Sequence, residues 1–406
     1  MRVILLTQYF PPETGAAQNR LFALAKAFRK RGHQITVLTS LPNYPTGRIF
    51  EDYRYHYKYH EKIEGIEILR SWLYVHPSRG TIPTALSYLT FASTSLDIAI
   101  RHIDSADVIV WEYPPLFLGY TAMKLARRYN ARLVTNFADL WTDLISEHRI
   151  LSSQFIIRRF KSYERKIIAR SDLVTAQTEG LIDGIKNLSP GSDPKLWPNG
   201  ADTQMFYPRE KDREFMAKIN PEGKFVVGYA GLHGRNHNLG TLIETANLLQ
   251  DKHDIRFVLC GDGFEKPKLV KMADELGLEN VAFYEPVSYE DVPRLMSCFD
   301  LGVVIHRSLP GLRCVRSAKM FELMAMGIPI LHIGESEGAE IVRKAEAGVV
   351  VDSNDPGRIA DTVSALVKSE QVSRMKLVGK KYIDRNYNRE TITKQILKNI
   401  ESIISF

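Results

Sequence analysis

Short apolar runs alternate along the chain with stretches of helical periodicity. Residues 2–7 form one apolar run, and Leu21, Leu24, Ala25 and Phe28 then recur at the spacing of one helix face. Arg29-Lys30-Arg31-Gly32 closes that helix, and residues 34–39 read as the next strand. Strand, helix and strand in this order predict a βαβ unit, hence a parallel sheet. The alternation continues with strands at 107–111 and 132–136 around a helix at 117–129. A second series has strands at 224–229, 255–260, 281–284 and 300–305, with a helix at 239–250. Further helices are predicted at 359–367 and 392–404.

Three segments depart from this alternation. Tyr53-Arg54-Tyr55-His56-Tyr57-Lys58-Tyr59-His60 reads as an edge strand of mixed faces. From 82 to 103, Leu86, Leu89, Leu96, Ile100 and Ile103 recur at roughly helical spacing, and Asp97 is the one charge between Thr81 and Ile100. Ser87, Thr90, Ser93, Thr94 and Ser95 make it too polar for the ~20 apolar residues of a membrane span. It predicts a helix that is buried or lies at a membrane interface. Residues 149–170 place Arg149, Arg158, Arg159, Lys161, Arg165, Lys166 and Arg170 among Phe155, Ile156, Ile157 and Phe160. This is a basic amphipathic helix, either solvated or set against anionic lipid.

The chain's chemistry concentrates in Ser317–Leu331. Met320, Leu323 and Met324 mark one helix face, Gly327 ends the helix, and Pro329 blocks its restart. Lys319 and Glu322 thus fall on the first turns, one turn apart. A helix N-terminus attracts anions, and Lys319 adds a full positive charge. A carboxylate at Glu322 accepts hydrogen bonds from a sugar diol. The same spacing also describes an ordinary surface ion pair.

Length and composition narrow the classes. A chain of 406 residues exceeds a usual single core, and 44% hydrophobic with 25% charged residues is ordinary globular composition. Cys260, Cys298 and Cys314 have no metal-ligand spacing, and an odd, low count suits a reducing cytoplasm. The N-terminus has too short an apolar run for a signal peptide and reads as a strand. Up to Gly200 there are 26 Lys and Arg against 18 Asp and Glu, and beyond it 28 against 29. The +7 net charge therefore lies in the first half, which favours an acidic partner or surface there. No zinc-finger, Arg/Gly or RNP-like motif supports nucleic acid.

Loops at the carboxyl ends of strands hold the remaining candidates, since ligands of open α/β sheets bind at that edge. After strand one comes Tyr9-Phe10-Pro11-Pro12-Glu13-Thr14-Gly15-Ala16, where Gly15 lets backbone approach a ligand. Asp139 follows the strand at 132–136, as an active-site carboxylate or a helix cap. Gly231-Leu232-His233-Gly234-Arg235-Asn236-His237 joins a strand to a helix, the form of a phosphate cradle. Gly261-Asp262-Gly263 ends another strand. Pro198-Asn199-Gly200 is a strong turn former where the charge balance changes.

Ser-Ala-Lys-Met-Phe-Glu-Leu-Met-Ala-Met-Gly-Ile-Pro resembles the donor-site helix of the family-4 retaining glycosyltransferases. The loop at 9–15 resembles that family's N-terminal signature, and Pro-Asn-Gly-x-Asp-x-x-x-Phe-x-Pro at 198–208 its interdomain linker. The resemblance runs in order along nearly the whole chain. It is nearest the bacterial branch that builds polysaccharides and O-antigens, including N-acetylfucosaminyl- and N-acetylglucosaminyl-type transferases. It implies an α/β GT-B fold, two doubly wound Rossmann-like domains facing across a cleft. It implies an acceptor and membrane-side domain at 1–198, a donor-binding domain at 199–387, and a final helix at 388–406 packed back on the first.

The resemblance also implies transfer of a sugar from a nucleoside diphosphate, of UDP-N-acetylhexosamine type, with retained configuration and no metal or other cofactor. The acceptor implied is a lipid-linked saccharide or polysaccharide, at the inner face of the cell membrane. Asp139, Lys319 and Arg235 become the catalytic candidates. Gly15, Gly231, Arg235, Gly261, Val287, Arg316, Lys319 and Glu322 become the donor-binding ones. The family's arginine and lysine in the cradle loop are Leu232 and His237 here, and its first glutamate is Cys314. Arg235 and Lys319 must then supply the positive charge. Two rivals are an epimerase of the same fold and a non-catalytic nucleotide-sugar binder.

Overall fold

A computed structural model describes residues 1–77, 80–147, 153–367 and 369–404. Arg149, at the head of the expected basic helix, lies outside the described residues. The chain divides into two compact units, Met1–Asn199 with Glu390–Phe406, and Gly200–Arg389.

In the first unit, the strands are β1 (Arg2–Leu6), β2 (Gln34–Ser40), β3 (Lys58–Ile63), β4 (Ile66–Ser71), β5 (Val108–Tyr113), β6 (Arg132–Phe137), β7 (Leu173–Ala176) and β8 (Lys195–Leu196). Among the described residues they form one sheet in the order β3-β4-β2-β1-β5-β6-β7-β8, parallel except for the antiparallel pair β3–β4. The side-chain alternation of β1 shows why both faces are covered. Ile4 and Leu6 enter one apolar cluster, Val3 and Leu5 another. Helix α1 (Ala16–Lys30) adds Leu21, Leu24, Ala25 and Phe28 to the second cluster, and so do Ile396, Leu397 and Ile400 of the last helix, Arg389–Ser402. The edge strand expected at 53–60 begins at Lys58 instead. Glu51–Tyr53 is a short 3-10 helix, so the alternation of tyrosines misplaces the strand's start.

Four more helices matter for this unit: α2 (Thr81–His102), α3 (Leu118–Tyr129), α4 (Trp141–Glu147) and α5 (Gln154–Arg170). Phe91, Leu96, Ile98 and Ala99 of α2 join the core, while Ile82, Leu86 and Leu89 stay exposed. The helix is therefore half core and half apolar surface. Among the described residues, no helix is long and apolar enough to cross a membrane.

In the second unit, β9 (Phe225–Ala230), β10 (Ile255–Cys260), β11 (Val281–Tyr284), β12 (Leu301–Ile305), β13 (Ile330–Ile333) and β14 (Gly348–Val351) are parallel, in the order β11-β10-β9-β12-β13-β14. Val226, Val258 and Val304 face one cluster; Val227, Phe257, Leu259 and Val303 face the other. The helix Ala318–Ala325 runs from β12 toward β13. Gly327 ends it with φ +68°, its N–H bonded to the Met324 carbonyl at 3.0 Å and the Ile328 N–H to Leu323 at 2.9 Å. That paired closure uses a left-handed residue, which glycine adopts without cost. The helix Gln371–Asn386 has no counterpart in the sequence reading, since it buries little beyond Gly379 and Ile383.

Candidate active site

The second unit's site is built at the carboxyl ends of β9, β10 and β12. Lys319 is the second residue of its helix, and its Nζ lies 3.6 Å from the Tyr229 ring centroid. Nζ is hidden from solvent and has no hydrogen-bond partner among the described residues. Burial pushes its amine down to about 7, with Glu322 pulling the other way. An ammonium held over an aromatic face gains quadrupole attraction but lacks an anion.

Gly231 faces this amine. A Cβ there would stand 2.5 Å from Lys319 Nζ, at φ +143°. Gly261 closes against Gly231 so tightly that a Cβ on it would meet the Gly231 carbonyl oxygen at 1.9 Å. Glycine at both positions lets the two backbone segments close into a cradle beside the lysine amine. His233 lies beneath, fully buried between Tyr229 and Phe283. Burial first, then the Lys266 and Lys319 charges, lower its pKa to about 4.

Glu322 lies one turn along the helix and is 7% exposed. Burial raises its carboxyl pKa, while Arg389 and then Lys319 lower it. Its near cation is Arg389, at 4.0 Å. Both Lys319 and Glu322 are held inside the unit, so they are not a surface ion pair.

Other expected residues are placed differently. Arg235 does not join Lys319. Its side chain is 75% exposed, 3.8 Å from Glu265, and over the Phe264 ring at 5.2 Å. The short 3-10 turn Arg235–His237 carries it outward. Arg316 is committed to Glu337 at 2.6 Å and 2.8 Å, although its Nη1 is hidden and has no partner among the described residues. Val287 follows β11, half-buried, two residues beyond Glu285, whose carbonyl accepts from the Cys260 thiol at 3.1 Å. Leu232 is exposed, and Cys314 is half-buried. His237 has its pKa pushed down to about 3 by burial and then by Lys319, which keeps it neutral. Among the described residues, no three His, Cys, Asp or Glu side chains gather as a metal site.

The first unit has its own polar edge. Gly15 precedes α1 in extended backbone, where a Cβ would meet the Gln18 amide. Asp139, between β6 and α4, keeps an open surface. The protein packed around it and the Glu112 carboxylate raise its pKa, against Arg20. Beneath this edge runs a buried network that no local motif announced. Arg20 of α1 donates to Glu112 and to Asn199, and stacks 5.3 Å over Trp197. Asn136 donates to Glu112 at 2.6 Å, and Thr175 to Asn136 at 2.8 Å. A second hidden carboxylate, Glu13, accepts the backbone N–H groups of Phe10, Asn43 and Tyr44 at 3.2, 2.7 and 2.8 Å. It ties the loop after β1 to the loop after β2.

Two α/β units with parallel sheets, joined in one chain, are the architecture of the GT-B fold. Two family models divide the chain: Glycosyltransferase Family 4 matches residues 17–205, and Glycosyl transferases group 1 matches residues 210–382. The chain belongs to the family-4 glycosyltransferases. It is similar to the putative colanic acid biosynthesis glycosyl transferase WcaI of Escherichia coli K12, at 22% identity over 98% of this chain and all of that one. The fold is similar to that of sucrose-phosphate synthase from Thermosynechococcus elongatus, with TM-score 0.77, 16% identity and full coverage of both chains. It is also similar to that of Anabaena HepE in complex with UDP and glucose, with TM-score 0.71, 18% identity, and 99% of this chain and all of that one covered.

Proposed function

We propose that the protein transfers a sugar, with retention of configuration, from a UDP-sugar of the N-acetylhexosamine type to a lipid-linked saccharide or polysaccharide in cell-surface glycan synthesis. The observation that carries this is Lys319, a hidden amine without a hydrogen-bond partner among the described residues, aimed at the Gly231 cradle. A diphosphate in that cradle supplies the missing anion. As the sugar departs, negative charge grows on the diphosphate, and a fixed cation at a helix start stabilises it. Glu322 takes the ribose hydroxyls. Gly261 and Val287 lie at the ends of β10 and β11, where backbone groups meet the nucleobase. Asp139 serves the acceptor side from the first unit.

Two comparisons support the donor and the product class. HepE was solved with UDP and glucose, and the WcaI relative is named for colanic acid biosynthesis. The reaction needs no metal in this scheme. The enzyme works in the cytoplasm, docked on anionic membrane through α5 and the exposed stripe of α2.

The test incubates the pure chain with a panel of UDP-sugars, with and without bacterial lipid extract, in EDTA and in magnesium. UDP release that requires the extract and survives EDTA supports the proposal. A changed sugar without release would mean an epimerase, and binding alone a non-catalytic module.

A further inference from the structure

A recess of about 360 Å³ opens in the second unit at the amino ends of β12 and β13, the opposite edge of the sheet from the donor cradle. Its floor is apolar. Phe299, Met326 and Ile328 are buried there, and Leu377, which also lines it, is 58% exposed. One wall is the turn that closes the helix Ala318–Ala325. Gly327 in that turn packs so that a Cβ would stand 3.1 Å from the Lys376 carbonyl oxygen, which sets the helix Gln371–Asn386 against it.

Four cations line the same space, Arg209, Lys211, Lys376 and Lys380. Two of them are neutralised. Lys211 meets Asp300 at 2.7 Å, and Lys380 meets Asp384. Asp300 is committed further, since it also accepts the Val226 N–H at 2.9 Å. Arg209 and Lys376 have no carboxylate partner among the described residues. Arg209 is nonetheless fixed in place. Its Nη2 donates to the Met205 carbonyl at 2.7 Å, its guanidinium lies 4.3 Å from the Tyr207 ring centroid, and its Nε is hidden with no hydrogen-bond partner among the described residues.

Two unneutralised cations beside an apolar floor select an anion that carries an apolar body. A guanidinium fork and an ammonium match the several oxygens of a phosphate monoester. The volume falls within the roughly 300–1,000 Å³ of small-molecule sites. Cations at a helix C-terminus also complement its dipole, but that role does not account for the apolar recess.

We propose that this recess binds a phosphate monoester with an apolar body, as a second anion site separate from the cradle. The proposal goes beyond the transferase reading and does not depend on it. Arg209 and Lys376 hold the phosphate, and Phe299 and Leu377 pack on the body. The preset guanidinium leaves little to be ordered on binding.

The experiment is calorimetry on the whole chain, with UDP in excess to occupy the cradle. The probes are phenyl phosphate, dihexanoyl phosphatidic acid and inorganic phosphate. The first two carry the same head on a soluble and on a lipid body, and the tighter of them names the source. At least one of these two should bind, and inorganic phosphate should bind more weakly. Lys376→Gln and Arg209→Gln should each weaken the bound probe by about tenfold or more, the scale of a lost charge-assisted contact. Leu377→Ser should weaken it too, yet leave inorganic phosphate unchanged. Circular dichroism reports folding. Lys376 is exposed, so its variant decides the matter even where Arg209→Gln fails to fold. Binding by neither ester, inorganic phosphate as tight as both, or affinity unchanged in folded Lys376→Gln would overturn the assignment and leave the two cations as complements of the helix end.

Discussion

Arg389 Nη2 stands 4.0 Å from Glu322 Oε1, and both side chains are buried. The same arginine donates to the Gly200 carbonyl at 3.0 Å and to the Tyr289 hydroxyl at 3.4 Å. It therefore holds the carboxylate at the point where the chain enters the second unit. The arginine also favours the ionised carboxylate that burial disfavours. Glu322→Ala should lose a charge-assisted hydrogen bond to ribose, about 1.5–3 kcal/mol, or at least tenfold in UDP affinity. Calorimetry checks this, with circular dichroism as the control for folding. Unchanged affinity would take Glu322 out of the site.

Lys319 gives the donor site a pH signature. Its amine is pushed down to about 7, so above pH 7 the unliganded protein holds it increasingly neutral. A diphosphate favours the charged form and raises that pKa on binding. Binding at pH 8 should then take up protons, and UDP affinity should fall as pH rises above 7. Calorimetry in two buffers of different ionisation enthalpy measures the uptake. Lys319→Met should abolish it and weaken UDP. The slope with pH should flatten in the same variant.

Glu13 should leave its mark on stability. Burial pushes its carboxyl up to about 7 from 4.5, despite three backbone donors and Arg70. The folded chain thus binds this proton more tightly than the unfolded chain. The stability contribution is full below pH 4.5 and is lost as pH rises to about 7. Buried neutral His233, with its pKa near 4, and His237 and His332, near 3, act oppositely, losing stability as pH falls below the ordinary histidine value. A bare melting profile therefore mixes both signs. The difference in Tm between wild type and Glu13→Gln isolates the carboxylate, and it should shift against the wild type between pH 4.5 and 7.

The first unit should bind anionic vesicles. Phe155 and Ile156 are exposed on α5 beside Arg158 and Arg159, and Ile82, Leu86 and Leu89 on α2. Each Lys or Arg near such a surface contributes about 1 kcal/mol, which salt screens. Flotation should fall as salt rises. Reversal of Arg158, Arg159 and Lys161 to glutamate should release the protein, while UDP affinity stays unchanged. Wild-type protein that fails to float at low salt would mark these segments as solvated surface.

The sequence and the structure agree where chemistry and periodicity are local. The βαβ alternation is legible because buried parallel strands are continuous apolar runs, and Lys319 and Glu322 because one helical turn sets their spacing. Arg235 stands apart from Lys319 for a physical reason. Its charge is visible in the sequence, but the short turn that carries it toward Phe264 and Glu265 is not. The roles of Arg20, Glu13 and Arg389 have no local signal because their partners are distant in sequence. Arg20 meets Asn199 and Glu112, Glu13 meets Asn43, and Arg389 meets Gly200 and Glu322. A buried charge betrays itself through such partners, and one chain read linearly does not pair them.

UDP titrated into the whole chain by calorimetry, for wild type and Lys319→Ala side by side, tests the donor site most directly. UDP should bind the wild type, and the variant should lose about tenfold or more, the scale of a buried charge-assisted contact to phosphate. Equal affinity in the two folded proteins, or no binding to the wild type, would contradict the assignment of Lys319 and the Gly231 cradle to the donor diphosphate.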